Sequence, residues 1–167
     1  MNLVIIIGLG LAGLVVIGYV AFEPIIMSDD ISTAQESEPY RCQGEEGRCY
    51  QSTLSRIIDG DTIVDEGGNK IRLALTSTPE LDETGGLEAK KYLEELCPVG
   101  SKITVNEDYL QTGGSFGRII AEVTCNGKIV NAMILLNDHG IIDKRFCNTS
   151  EFSSDNWAIN HCQWFVL

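Results

Sequence analysis

Leu54-Ser55-Arg56-Ile57-Ile58-Asp59-Gly60-Asp61-Thr62-Ile63-Val64-Asp65-Glu66-Gly67-Gly68-Asn69-Lys70-Ile71-Arg72-Leu73-Ala74-Leu75 reads as three strands joined by two polar turns. Residues 54–58 and 62–64 are aliphatic and β-branched, with Asp59-Gly60-Asp61 as the reversal between them. The glycine there permits a sharp turn that exposes both carboxylates. Residues 65–69 make the second turn, where Gly67-Gly68 accepts the positive φ of a tight hairpin. Residues 70–75 alternate strictly, with Ile71, Leu73 and Leu75 on one face. Arg72 therefore points away from the face those three bury, either as a solvated side chain or as part of a site.

Downstream the period changes. Ala89, Tyr92, Leu93 and Leu96 recur at i, i+3, i+4, i+7, which predicts an amphipathic helix over 87–96 that Pro98 prevents from continuing. Residues 103–105 and 118–125 predict strands. Asn126-Gly127 predicts a hairpin turn into 128–130. Residues 131–138 predict an apolar helix closed by Gly140. A last short helix is expected to start at Ser153 or Ser154, carrying Trp157 and His161. Three strands, a helix, two strands and two helices suit an α+β fold: a five-stranded Greek-key barrel of the OB-fold type with about three helices. The pattern alone also permits other small α+β folds.

Upstream, residues 3–22 run without a charge and are long enough, at about 1.5 Å per helical residue, to span the hydrocarbon core. Residues 1–27 are read as a single N-terminal transmembrane helix, with a cleaved signal peptide as the competing reading. Residues 28–40 are acidic and polar without apolar periodicity, as a flexible tether would be. Residues 41–53 then form a small stapled loop, and 54–167 the domain. All six cysteines (Cys42, Cys49, Cys97, Cys125, Cys147, Cys162) follow the apolar run, as in an oxidised, extracytoplasmic domain anchored in the cell membrane. No Cys-x-x-Cys is present to favour zinc. Six cysteines allow fifteen connectivities. Proximity favours Cys42 with Cys49 and Cys147 with Cys162, leaving Cys97 with Cys125.

Four pieces then combine: Asp59-Gly60-Asp61-Thr62, Arg72, Thr78-Pro79-Glu80 and Gly117-Arg118. A carboxylate at a turn can hold a hard cation, a second can take a proton from water, and two guanidiniums can clamp a phosphoryl group. In this order they resemble the staphylococcal (thermonuclease-type) nuclease family, over residues 54–142. The resemblance implies a Ca²⁺-dependent nuclease that hydrolyses DNA, with RNA as a second candidate substrate and water as nucleophile. It gives Asp61 and the carbonyl of Thr78 to Ca²⁺, Glu80 to the attacking water, and Arg72 and Arg118 to the scissile phosphate. Three departures stand out. Ser77 occupies the place of the family's second metal-binding aspartate, which weakens the expected grip on Ca²⁺, and Asp59 is near enough in sequence to compensate in part. Phe116 replaces the usual tyrosine, which leaves a ring to stack on a base; Ser115 stands where a phosphate-contacting lysine is common.

Charge pulls the other way. The chain carries 12 Lys and Arg against 24 Asp and Glu. Five of the acids lie between Glu23 and Glu38, so residues 41–167 hold 12 basic and 19 acidic side chains. Uniform charge of that sign repels nucleic acid, although a local basic groove is compatible with it. The competing class is a catalytically weakened OB-fold module that binds nucleic acid or protein. Glu88, His139, His161, Trp157 and Trp164 read as structural. No protein partner is implied; the expected partners are nucleic acid and, through the N-terminal helix, the membrane.

Overall fold

The structure, a computed structural model, describes residues 49–111 and 116–163. The anchor and tether expected over 1–40, and with them Cys42, Ser115 and Trp164, lie outside the described residues. Among the described residues no helix is long and apolar enough to cross a membrane.

Strands β1 (Cys49–Ile57), β2 (Thr62–Asp65) and β3 (Lys70–Leu73) form the expected antiparallel meander. β1 begins at Cys49, five residues before the expected start. Those extra residues pair with a strand far along the chain, Cys49 opposite Asn106 through Thr53 opposite Lys102. A short β4 (Thr76–Ser77) and helix α1 (Gly86–Leu96) follow, then β5 (Lys102–Glu107) and β6 (Ile119–Cys125). The order β3-β2-β1-β5-β6 closes on itself because β3 also pairs with β6 in parallel, Ile71 opposite Ile119. The result is a closed, mixed five-stranded barrel with three helices, an α+β fold.

Asn126 and Gly127, at φ 52° and 73°, form the predicted turn into β7 (Lys128–Ile129). Helix α2 (Val130–Leu136) is shorter than expected. Asp138, at φ 58°, ends it rather than Gly140. Gly140 is needed for a different reason: a Cβ there would lie 2.9 Å from both Ile134 Cγ2 and the Ser77 carbonyl. Strand β8 (Ile141–Ile142) pairs with β4. The C-terminal helix is also displaced from expectation. Ser150, not Ser153 or Ser154, accepts the capping hydrogen bond from Phe152 N, and opens a 3₁₀ turn at Glu151–Ser154. α3 covers only Ile159–Cys162. Trp157 lies between the two and donates its Nε1 to Glu122 Oε2 at 2.8 Å, a packing anchor as expected.

Ile71 and Leu73 point into the barrel, whose interior also takes Leu54, Ile63, Val105 and Val123 and is plugged by Leu93 of α1 and Ile134 of α2. Leu75 departs from the predicted alternation. It adopts φ 55°, which ends β3 at Leu73 and turns its side chain into a second core with Ile120, Leu135, Ile142 and Phe152. The C-terminal segment packs on that second core.

Among the described residues two disulfides fasten these layers: Cys147–Cys162, as expected from proximity, and Cys97–Cys125, as expected of the remaining pair. Cys49 is disulfide-bonded too; its expected partner lies outside the described residues. Such cross-links suit an oxidising, extracytoplasmic compartment.

One buried polar side chain ties α2 to the barrel. Asn131 is fully buried; its Oδ1 accepts from Val123 N at 3.0 Å, and its Nδ2 donates to the carbonyls of Ala74 and Ala121. Those carbonyls also accept from the Thr76 hydroxyl and Ala74 N, whereas the Val123 N–H relies on the Asn131 amide oxygen. Asn131→Leu is therefore expected to cost about 2–3 kcal/mol, the penalty for one orphaned buried N–H with imperfect repacking. Urea unfolding measures it, and a loss under about 1 kcal/mol would mean that the amide is not the tie.

Candidate active site

The Asp59-Gly60-Asp61 turn is built by its own first carboxylate: Asp59 Oδ1 accepts from Asp61 N at 3.0 Å. Gly60 does not need a left-handed φ. It is needed for close approach, because a Cβ would fall 2.7 Å from both Ala89 Cβ and Thr78 Oγ1. That approach buries Asp61, at 2% exposure, so the expectation that the turn exposes both carboxylates fails for Asp61.

Asp61 is an acceptor hub. Its Oδ1 takes hydrogen bonds from Thr62 Oγ1 at 3.0 Å and from Arg72 Nη1, with which it forms an ion pair. Its Oδ2 takes Thr78 N at 3.0 Å and Thr78 Oγ1 at 3.3 Å. Burial pushes this carboxyl above the ordinary range, while the Arg72 charge and the Thr78 N–H pull it back. Arg72 reaches Asp61 because β2 and β3 place Thr62 opposite Arg72, with the guanidinium on the outer face of the barrel wall.

Arg72 also lines a cleft of about 420 Å³ with Glu80, Arg118 and Phe116. The strand pairing explains the convergence, since Arg72 sits opposite Ile120, two residues beyond Arg118. Phe116 and Gly117, both left-handed at φ 53° and 72°, lead into Arg118. The Phe116 ring is 98% exposed, free to meet a planar ligand. Glu80 is exposed at the end of a tight turn: its N–H donates to Glu83 Oε2 at 2.9 Å and its carbonyl accepts from Glu83 N at 2.9 Å.

Gly86 holds that turn against α1. A Cβ on Gly86 would lie 1.9 Å from the Glu80 carbonyl oxygen, a backbone atom that cannot rotate aside. Gly86→Ala is expected to displace Glu80 and lower turnover about 100-fold, the scale of an ångström-sized misplacement. Turnover and melting temperature measured together would separate this from general unfolding, and near-native turnover would show that Glu80 need not be held there.

Four of the sequence-derived residues, Arg72, Glu80, Phe116 and Arg118, thus share one cleft. The other three do not join them on its wall. Asp61 lies behind Arg72, and Ser77 and Thr78 line a neighbouring hollow with Asp138, His139 and Gly140. As arranged, the residues do not fit Ca²⁺. The ion wants six to eight oxygens, several of them charged. Here the one carboxylate of the expected set has both oxygens taken by hydrogen-bond donors, and no acidic, histidine or cysteine cluster suited to a metal occurs among the described residues.

Asp143, Arg145 and Gln111 also line the cleft and were not foreseen. Arg145 donates from Nε and Nη2 to the two oxygens of Asp143, at 2.8 and 2.7 Å. That guanidinium holds the Asp143 carboxyl below the usual carboxylate range. His139 stacks on Tyr92 with ring centroids 4.2 Å apart, and Glu88 sits in the first turn of α1; both border the hollow that Ser77 and Thr78 line. No protein-family model matches the chain and no curated protein matches it, so the functional reading rests on the arrangement of these side chains.

Proposed function

We propose that the chain is a thermonuclease-like phosphodiesterase with an OB-fold barrel, hydrolysing DNA, with RNA as the second candidate. The observation that carries this reading is the meeting of Arg72, Arg118 and Glu80 on one cleft from three separate parts of the chain. Two forked guanidiniums suit the non-bridging oxygens of a phosphodiester and stabilise the charge that grows there as water adds. Glu80, beside them and open to solvent, is the group able to take the proton of the attacking water. Phe116 offers a face for a base. Calcium belongs to the family resemblance; the Asp61 arrangement does not supply its ligands, so no step is assigned to it. Retention on the outer side of the cell membrane by the N-terminal apolar segment completes the proposal.

The test is cleavage of single- and double-stranded DNA and of RNA by the full-length chain, with Ca²⁺, with other divalent ions and with chelator. Products bearing new ends support the reading. No cleavage of any substrate under any of these conditions overturns it and leaves the binding module, for which the same cleft would hold a phosphate without breaking it.

A further inference from the structure

Arg145 reaches the cleft from the C-terminal segment rather than from the barrel, in the 3₁₀ turn Lys144–Phe146 that follows β8. Its side chain is 77% exposed, so solvent screens the guanidinium and the pair it makes adds little to stability. The pair with Asp143 instead fixes direction. Asp143 is buried at 8% exposure and anchored through its own N–H to the Leu75 carbonyl at 2.8 Å. The guanidinium also lies 5.5 Å from the centre of the Phe146 ring. A guanidinium carries five N–H donors. Asp143 takes one from Nε and one from Nη2, which leaves three with no acceptor among the described residues. A clamped arginine with its remaining donors turned out over a cleft is suited to a second anion.

Arg145 and Asp143 also line a second hollow, of about 710 Å³, which adjoins the first at these two residues. Lys144 and His161 border it, and Leu135, Ile141 and Ile142 supply apolar surface, Ile141 being 72% exposed. The acids facing this path are Glu80 in the first cleft, Asp138 in the second, and Asp143, which Arg145 neutralises.

We propose that Arg145 is a second phosphate-binding point, and that a single strand of polynucleotide runs from the Arg72 and Arg118 cleft across Arg145 into the adjoining hollow. A single strand is favoured because its unstacked bases can meet the apolar surface there, whereas a duplex keeps its bases inside. The inference rests on the nucleic-acid reading of the first cleft and extends it from one phosphate to two.

The test measures binding of labelled single-stranded oligonucleotides of two and of twelve nucleotides by fluorescence anisotropy. The full chain carries Glu80→Gln to suppress hydrolysis, with and without Arg145→Gln. Removing Arg145 is expected to raise the Kd of the longer strand about tenfold and that of the dinucleotide less than twofold, and to lower the slope of log K against log salt by about 0.7, one single-strand phosphate contact. Arg145→Gln leaves Asp143 without its guanidinium, so the paired variant Asp143→Asn with Arg145→Gln is measured beside it and is expected to show the same loss. Equal loss at both lengths, or an unchanged salt slope in the paired variant, overturns the proposal. If length-dependent binding is seen and the unsubstituted chain cleaves nothing, the hydrolase reading fails and the second phosphate point stands. If no oligonucleotide binds, both fall.

Discussion

Glu80→Gln is expected to lower kcat on single-stranded DNA by about 10²- to 10⁴-fold, the range that a positioned general base supplies. KM should change little. Glutamine keeps the length of the side chain and leaves the Glu80 N–H on Glu83 Oε2, so the turn that presents position 80 survives. What is lost, under the proposed function, is a group able to accept a proton beside a phosphate held by Arg72 and Arg118. A fall in kcat with KM preserved is the signature of an interaction made only in the transition state. The measurement is steady-state cleavage of a fluorogenic oligonucleotide by the full-length chain and its variant. Cleavage within about threefold of the unsubstituted chain would remove Glu80 from the chemistry, and with it the reason for calling the cleft hydrolytic.

Much of the barrel was legible because each strand and helix leaves a local trace. The alternation through Ile71 and Leu73 gave the inward face of β3, the 3.6-residue stripe from Ala89 to Leu96 gave α1, and Asn126-Gly127 gave the turn before β7. Where the chain meets itself at long range no such trace exists. The first five residues of β1 are strand because β5 pairs with them, and β4 and β8 are two residues each, too short for any period to show. Leu75 fits the alternation perfectly and still leaves it, since a second core lies within reach of a left-handed turn.

The site divides on the same line. Motif order brought Arg72, Glu80 and Arg118 together, yet it could not show which partner Asp61 would take. Spacing reads Asp61 as an exposed carboxylate; the close fit of Gly60 against Ala89 and Thr78 drives it inward, where the nearest cation is an arginine of its own chain. Arg145 lay beyond the motifs altogether. Asp143-Lys144-Arg145 is ordinary as sequence, and acquires meaning only when β8 sets it beside the cleft.

Asp61 carries the second large effect. Asp61→Ala is expected to destabilise the fold by about 3 kcal/mol, the lower end of the cost of breaking a buried ion pair. The lower end applies because Arg72 remains 20% exposed and can turn toward solvent, so its charge is not stranded. Thr78 N–H, by contrast, loses its acceptor outright. Asp61→Asn is the sharper variant. It keeps the shape, but all four partners are donors, and an amide turns an NH₂ toward some of them where an oxygen was. It should therefore lose nearly as much as alanine in urea unfolding, and a native-like asparagine variant would show that the carboxylate is not the hub. Turnover should fall in both variants, by about 10- to 100-fold, because Arg72 is no longer aimed. KM should not rise with it, since removing Asp61 leaves the cleft more positive toward phosphate. The same pair of proteins distinguishes a structural Asp61 from a cation ligand. A ligand role requires Ca²⁺ to raise the melting temperature of the unsubstituted chain and not that of Asp61→Ala, by the linkage of binding to folding. A hub already saturated by Arg72, Thr62 and Thr78 gives no such difference, and that is the outcome the geometry favours.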